Sequence, residues 1–119
     1  ETEPRDGQRF SGKVYVLINR YSYSNAVSVA AIVKDYGFAT VIGEPTADLA
    51  TTFGGMERFN LTHTNISVGY PKALIIRPNG DRTPSGVSPD LLIPMKAEQL
   101  FDDDAFLETA LDIITNTAH

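Results

Sequence analysis

The chain has no cysteine and no tryptophan among its 119 residues. Without cysteine there is no disulfide, no thiolate metal site and no thiol nucleophile, and the redox compartment stays open. Basic side chains able to relay a proton are scarce: two histidines, His63 and His119, and four lysines, Lys13, Lys34, Lys72 and Lys96. No apolar run approaches the roughly 18 residues of a membrane span, and no signal-like segment opens the chain. Positive charge is also short, with 10 basic against 15 acidic residues and a net charge of -5. The acids gather late, at Glu98, Asp102, Asp103, Asp104, Glu108 and Asp112. Such a chain repels phosphate backbones, which argues against a nucleic-acid partner. No motif calls for a metal or a cofactor.

What is present fits one α/β domain. At 42% hydrophobic content the chain can bury a modest core. Residues 1–12, ETEPRDGQRFSG, offer little to bury and read as a linker or the edge of a longer chain, leaving residues 13–119 as the domain. Val14 to Ile18 is a nearly continuous apolar run, which predicts a strand covered on both faces. Ser24 to Tyr36 predicts a helix with apolar residues on two stripes, Ala26, Val29, Ala30 and Val33 on one and Val27, Ala31 and Ile32 on the other. Apolar side chains around most of its circumference predict a buried helix. Gly37 supplies the stop, and Ala39 to Ile42 predicts a second short strand, completing a βαβ unit with a right-handed crossover.

Gly43 to Gly55 is rich in turn formers and reads as a loop. Alternation then predicts a hairpin, Glu57, Phe59 and Leu61 on one strand and Ile66, Val68 and Tyr70 on the other, with His63 to Asn65 between. Ala73 to Ile76 reads as a further strand ended by Pro78, Asn79 and Gly80, and Leu91 to Ile93 as another closed by Pro94. The acids at Asp102 to Asp104 suit the N-terminus of a last, amphipathic helix carrying Phe106, Leu107, Ala110, Leu111, Ile113 and Ile114.

Ser24 stands where the first strand passes into the first helix. A hydroxyl there sits beside free backbone N–H groups and the positive end of the helix dipole, both of which favour a developing oxyanion. The N–H of Asn25 is the nearest donor. Ser22, Ser24 and Asn25 are equally good N-cap residues, so capping alone also accounts for the pattern. The glycine-flanked elbow of many hydrolases is absent, since Ser22 and Ala26 occupy the flanking positions.

The order of GKVYVLIN, a serine before a small-residue helix, GEPT after the next strand and GVSPD late in the chain resembles the C-terminal half of the catalytic domain of the S41 serine peptidases, which include the C-terminal processing proteases and the tricorn-type core. The resemblance runs from about Phe10 into the final helix. It implies a ClpP/crotonase-like fold, here a mixed sheet with a buried βαβ unit, a β-hairpin and a C-terminal amphipathic helix. In the processing proteases an aspartate follows the nucleophile by eleven residues, and Asp35 stands eleven after Ser24, so the resemblance implies that Ser24 is the nucleophile and that Asn25 supplies an oxyanion N–H.

The pattern departs at the base. Processing proteases carry a lysine twenty-five residues after the serine, and that position is Leu49. Leucine accepts no proton, and none of the four lysines matches the position. The tricorn-like arrangement remains, with a histidine supplied from outside this segment. His63, in the predicted turn, has the ordinary explanation of an exposed imidazole, and His119 is terminal. Glu57 is a candidate orienting carboxylate, against the plainer reading of a solvated strand residue. Thr83 stands near where some relatives place a glutamate. Asp35 and Asp90 read as structural, and Tyr21 and Tyr23 as cleft-lining or packing aromatics.

Two functions follow. One is part of an S41-type serine peptidase acting on a peptide or protein substrate, completed by the remainder of its own catalytic domain, with an extracytoplasmic location implied by the resemblance. The other is a non-catalytic relative serving as a peptide-binding or assembly module, in which Ser24 only caps its helix.

Overall fold

The computed structural model describes residue 7, residues 10–93 and residues 103–117. Most of the expected linker 1–12, together with Pro94, Asp102 and His119, lies outside the described residues. The order of elements is β1 (Tyr15–Ile18), α1 (Asn25–Asp35), β2 (Thr40–Gly43), β3 (Thr52–Asn60), β4 (Ser67–Ile75), β5 (Leu91–Leu92) and α2 (Asp103–Thr117).

β1, β2 and β5 form a parallel sheet with β2 in the centre. Its two faces are covered by different helices, as successive side chains of β2 dictate. Val41 points to one side, where Val27, Ala30 and Ala31 of α1 join Ile18, Ala50 and Val87 in one core. Ile42 points to the other, where it meets Ile93 with Phe106 and Ala110 of α2. The βαβ unit is therefore present, with α1 as its crossover.

The parallel and antiparallel pairings lie in separate sheets, where a mixed sheet was expected. β3 and β4 make a long antiparallel ribbon, from Thr52↔Ile75 at its base to Asn60↔Ser67 near its tip. β4 absorbs the stretch 73–75 that the sequence presents as a separate strand. Pro71 does not break β4, because a two-stranded ribbon leaves an outer edge on which a missing N–H costs no ladder bond. The expected loop 43–55 is shorter than its composition implies, since β3 begins at Thr52. At the tip Asn65 adopts φ 53° and its N–H donates to the Leu61 carbonyl at 2.9 Å, with His63 exposed in the turn.

Burial of α1 also differs from expectation. Val27, Ala30 and Ala31 are buried, while Val29 and Ile32 are 53% and 42% exposed. The covered face takes Ala30 from one expected stripe and Val27 and Ala31 from the other, and each stripe leaves one large apolar side chain outside it. β1, likewise expected to be covered on both faces, lies at a sheet edge with Leu17 exposed. On α2, Phe106 and Ala110 are buried and Leu107 and Leu111 exposed.

Two close backbone approaches lie at and just beyond the parallel strands. Gly43 has φ 128°, and a Cβ there would stand 1.9 Å from the Ile18 carbonyl oxygen. A Cβ on Gly86 would lie 2.0 Å from the carbonyl oxygen of Thr46. Only glycine lets these backbones meet.

Candidate active site

Ser24 is the residue before α1, and its backbone is at φ 56° and ψ -121°. That conformation is costly for a residue with a Cβ, by about 1–3 kcal/mol, and persists only where the surroundings impose it. The side chain makes no capping hydrogen bond, which corrects the reading of Ser24 as a simple N-cap. A capping serine sits in the β region with its oxygen on the N–H of the second or third helical residue. Here the N–H groups of Val27 and Ser28 go instead to the backbone carbonyl of Ser24, at 3.0 and 3.2 Å. Ser22, the other local hydroxyl, accepts the N–H of Asn19 at 3.1 Å. The result is a sharp strand-to-helix turn with positive φ at Ser24, reached without flanking glycines.

Next to it, the N–H of Asn25 makes no hydrogen bond among the described residues, whereas that of Ala26 donates to the Tyr23 carbonyl at 3.1 Å. The first helical turn therefore keeps a free donor beside the serine, with the dipole of α1 behind it.

Ser24 and Asn25 line an open cleft of about 390 Å³. Its other walls are Tyr23 and Ser28, the segment Asp48 to Ala50, Thr52 to Met56 of β3, and Ile75 of β4. Leu49 thus lies at the cleft with Ser24, at the position where the processing proteases carry lysine. No lysine or histidine is among the residues that line it. A shallower hollow adjoins it through Tyr23 and Asp48 and includes Tyr21. No group of three His, Cys, Asp or Glu side chains able to hold a metal is found among the described residues. None of the described helices is long and apolar enough to cross a membrane.

The serine is held by a chain of polar contacts that ties GEPT to GVSPD. The Val87 N–H donates to Thr46 Oγ1 at 2.9 Å, and the Thr46 hydroxyl donates to the Asp48 carbonyl at 2.8 Å. The Asp48 carboxylate then accepts the N–H of Ser24 at 2.6 Å and of Leu49 at 2.9 Å. The Thr46 N–H donates to the Val87 carbonyl at 3.1 Å, and Ala50 N–H to Ser85 at 3.0 Å, so the two motifs are laced together. Asp48 escapes sequence reasoning because aspartate in a turn-rich segment needs no further explanation.

Arg20 and Glu44 brace the strand ends beneath, with Nε and Nη2 donating to the carboxylate at 2.9 and 2.7 Å. The pairing with Glu44 raises the Arg20 pKa. At the far end of α1, Arg77 grips Asp35 in the same two-pronged way, at 3.0 and 2.7 Å, with the side chains only 8% and 3% exposed. The Asn79 N–H adds a third contact at 3.2 Å. The Arg77 hydrogen bonds hold the Asp35 carboxyl below its usual pKa, despite burial. Asp35 is structural, as its helix-end position implies. Asp90 is too: burial disfavours its charge, but Lys34 and the Val41 N–H outweigh that and lower its pKa.

Glu57 lies on the exposed ribbon, where its carboxylate accepts from Lys72 and, at 2.9 Å, from the Tyr70 hydroxyl. Those bonds lower its pKa, Lys72 first. It is not among the residues lining the cleft.

Comparison with known proteins gives this arrangement its relatives. Mature CPAF is similar in structure, with a TM-score of 0.59 and 27% identity over 76% of this chain. A serine-to-alanine mutant of CPAF matches with a TM-score of 0.58 and 24% identity over 77%. In both cases the match spans 17% of the CPAF chain. The sequence signature of Peptidase family S41 matches residues 1–93, which include the serine turn, the cleft and both laced motifs, and the chain belongs to that family.

Proposed function

We propose that this chain carries the nucleophile of a serine peptidase with a ClpP/crotonase-like catalytic domain. Ser24 Oγ attacks the carbonyl carbon of a peptide bond, and the Asn25 N–H donates to the oxyanion that forms. The observation that carries this reading is the backbone of Ser24, held at positive φ with its hydroxyl uncommitted at the mouth of a cleft. A serine needed only as a cap would have no reason to bear that strain.

Activation requires a base to take the hydroxyl proton and pass it to the leaving amine. Leu49 cannot do this, so the base, read as a histidine, comes from the remainder of the catalytic domain, which also supplies the second oxyanion donor. Glu57 is the orienting acid of this scheme only if that remainder draws it from Lys72 and Tyr70 toward the histidine. The described residues alone are then inactive, and the substrate is a peptide or protein.

Labelling of the full-length protein with a fluorophosphonate tests this. Wild type is expected to label and Ser24→Ala to lose the label entirely. Equal labelling of both removes Ser24 from the role. An unlabelled wild type that still binds peptide supports the second reading, a non-catalytic peptide-binding or assembly module, which the leucine at position 49 favours.

A further inference from the structure

A serine just before a helix can take either of two backbone conformations. In one, its backbone lies in the β region and its hydroxyl caps the first turn of α1. In the other, the one observed, φ is 56° and the hydroxyl is left free. Nothing in the sequence on either side of Ser24 favours the second, since Tyr23 and Asn25 are ordinary residues with side chains. The force that selects it must come from elsewhere in the fold.

We propose that Asp48 is a positioning residue that locks Ser24 in its reactive conformation by accepting the Ser24 N–H. The bond is short, 2.6 Å, and charge-assisted, which places it among the stronger hydrogen bonds a backbone N–H can make. Rotation of Ser24 into a capping conformation turns that N–H away and breaks it. The Asp48 carboxylate is itself anchored, because its other oxygen accepts the Leu49 N–H at 2.9 Å and its carbonyl is held by Thr46. Asp48 touches the nucleophile's backbone and not its hydroxyl, so its effect passes through geometry. This inference rests on Ser24 being the nucleophile.

The arrangement predicts a separation of reactivity from stability. Without Asp48, Ser24 relaxes into an ordinary cap, which recovers a hydrogen bond for the helix while withdrawing the nucleophile. Full-length Asp48→Ala is therefore expected to label with a fluorophosphonate about 10-fold more slowly at saturating probe, a barrier change of roughly 1.4 kcal/mol. The half-saturating probe concentration and the melting temperature should stay close to wild type. Asp48→Asn, which keeps a carbonyl oxygen for the Ser24 N–H, should recover most of the rate. If Asp48→Ala folds poorly, Asp48→Leu removes the acceptor while filling the space. Wild-type labelling rates in the variants lacking the acceptor overturn the proposal, as does a slowing that only tracks the loss of folded protein. Labelling of wild type that survives Ser24→Ala overturns the nucleophile reading itself, and this inference with it.

Discussion

The parallel unit and the segments flanking its strands are joined by close, specific contacts: Gly43 against Ile18, Gly86 against Thr46, and Asp90 spanning Lys34 and the Val41 N–H. The antiparallel ribbon is built under looser rules. Its strands run nine residues each, yet Phe53, Met56, Phe59, Ile66, Leu74 and Ile75 are all substantially exposed, and its polar contacts, such as Glu57 with Lys72, are at the surface. The difference teaches where constraint is needed. The unit that carries Ser24 must hold one backbone in a strained state, and it does so with close backbone approaches at Gly43 and Gly86 and with the Asp48 carboxylate on the Ser24 N–H. The ribbon contributes a wall to the cleft and needs only its ladder of backbone hydrogen bonds.

Paired glycine substitutions make the sharpest test of that contrast. Gly43→Ala meets a backbone oxygen and a positive φ, and is expected to cost more than about 4 kcal/mol or to prevent folding altogether. Gly69→Ala in β4 meets nothing closer than the Met56 methyl at 3.4 Å and should be tolerated. Chemical denaturation of the two variants measures both, and similar losses would erase the distinction between the regions.

Next in size is Arg77→Ala, which strands the Asp35 carboxylate in a buried site and should destabilise the fold by about 3–5 kcal/mol. The pH dependence has a definite sign. The folded-state pKa of Asp35 is depressed, so its contribution is present above the ordinary value of 3.8 and is lost as pH falls below it through the folded-state pKa. The stability gap between wild type and Arg77→Ala should therefore narrow in acid, which melting curves over that range will reveal. Smallest of all is Lys72→Ala on the ribbon, where an exposed pair with Glu57 is removed. Its melting midpoint should be indistinguishable from wild type, as is common for solvated ion pairs.

Much of this was legible in the sequence because its signals were backbone signals. The apolar run at Val14 to Ile18, the glycine after α1, and the alternation in Glu57 to Tyr70 each report a local conformation that the fold keeps. GEPT and GVSPD were visible as motifs, but their reason was not: Thr46 and Val87 exchange hydrogen bonds across forty-one positions of chain, and no local pattern encodes that. The strain at Ser24 was hidden for the same cause, since its enforcer, Asp48, lies twenty-four residues away. The exposure of Val29 and Ile32 was illegible for a different reason. Periodicity tells which side chains share a helix face, and says nothing about whether a face finds cover.

The base of the ribbon has a consequence for how such a protein can change. Thr52 and Ile75 are paired, and just outside them the Thr51 hydroxyl donates to the Asp81 carbonyl at 2.6 Å while accepting the Arg77 N–H at 3.2 Å. The two ends of the ribbon are thus fastened together independently of what lies between them. Everything beyond Met56 and Pro71 is a cantilever on a closed foot, and its length, its tip and its outward side chains can be exchanged for others without disturbing the turn that holds Ser24. The ribbon's foot and the Ser24 turn are separate fastenings, so the serine turn can be kept while the surface offered around it is rewritten.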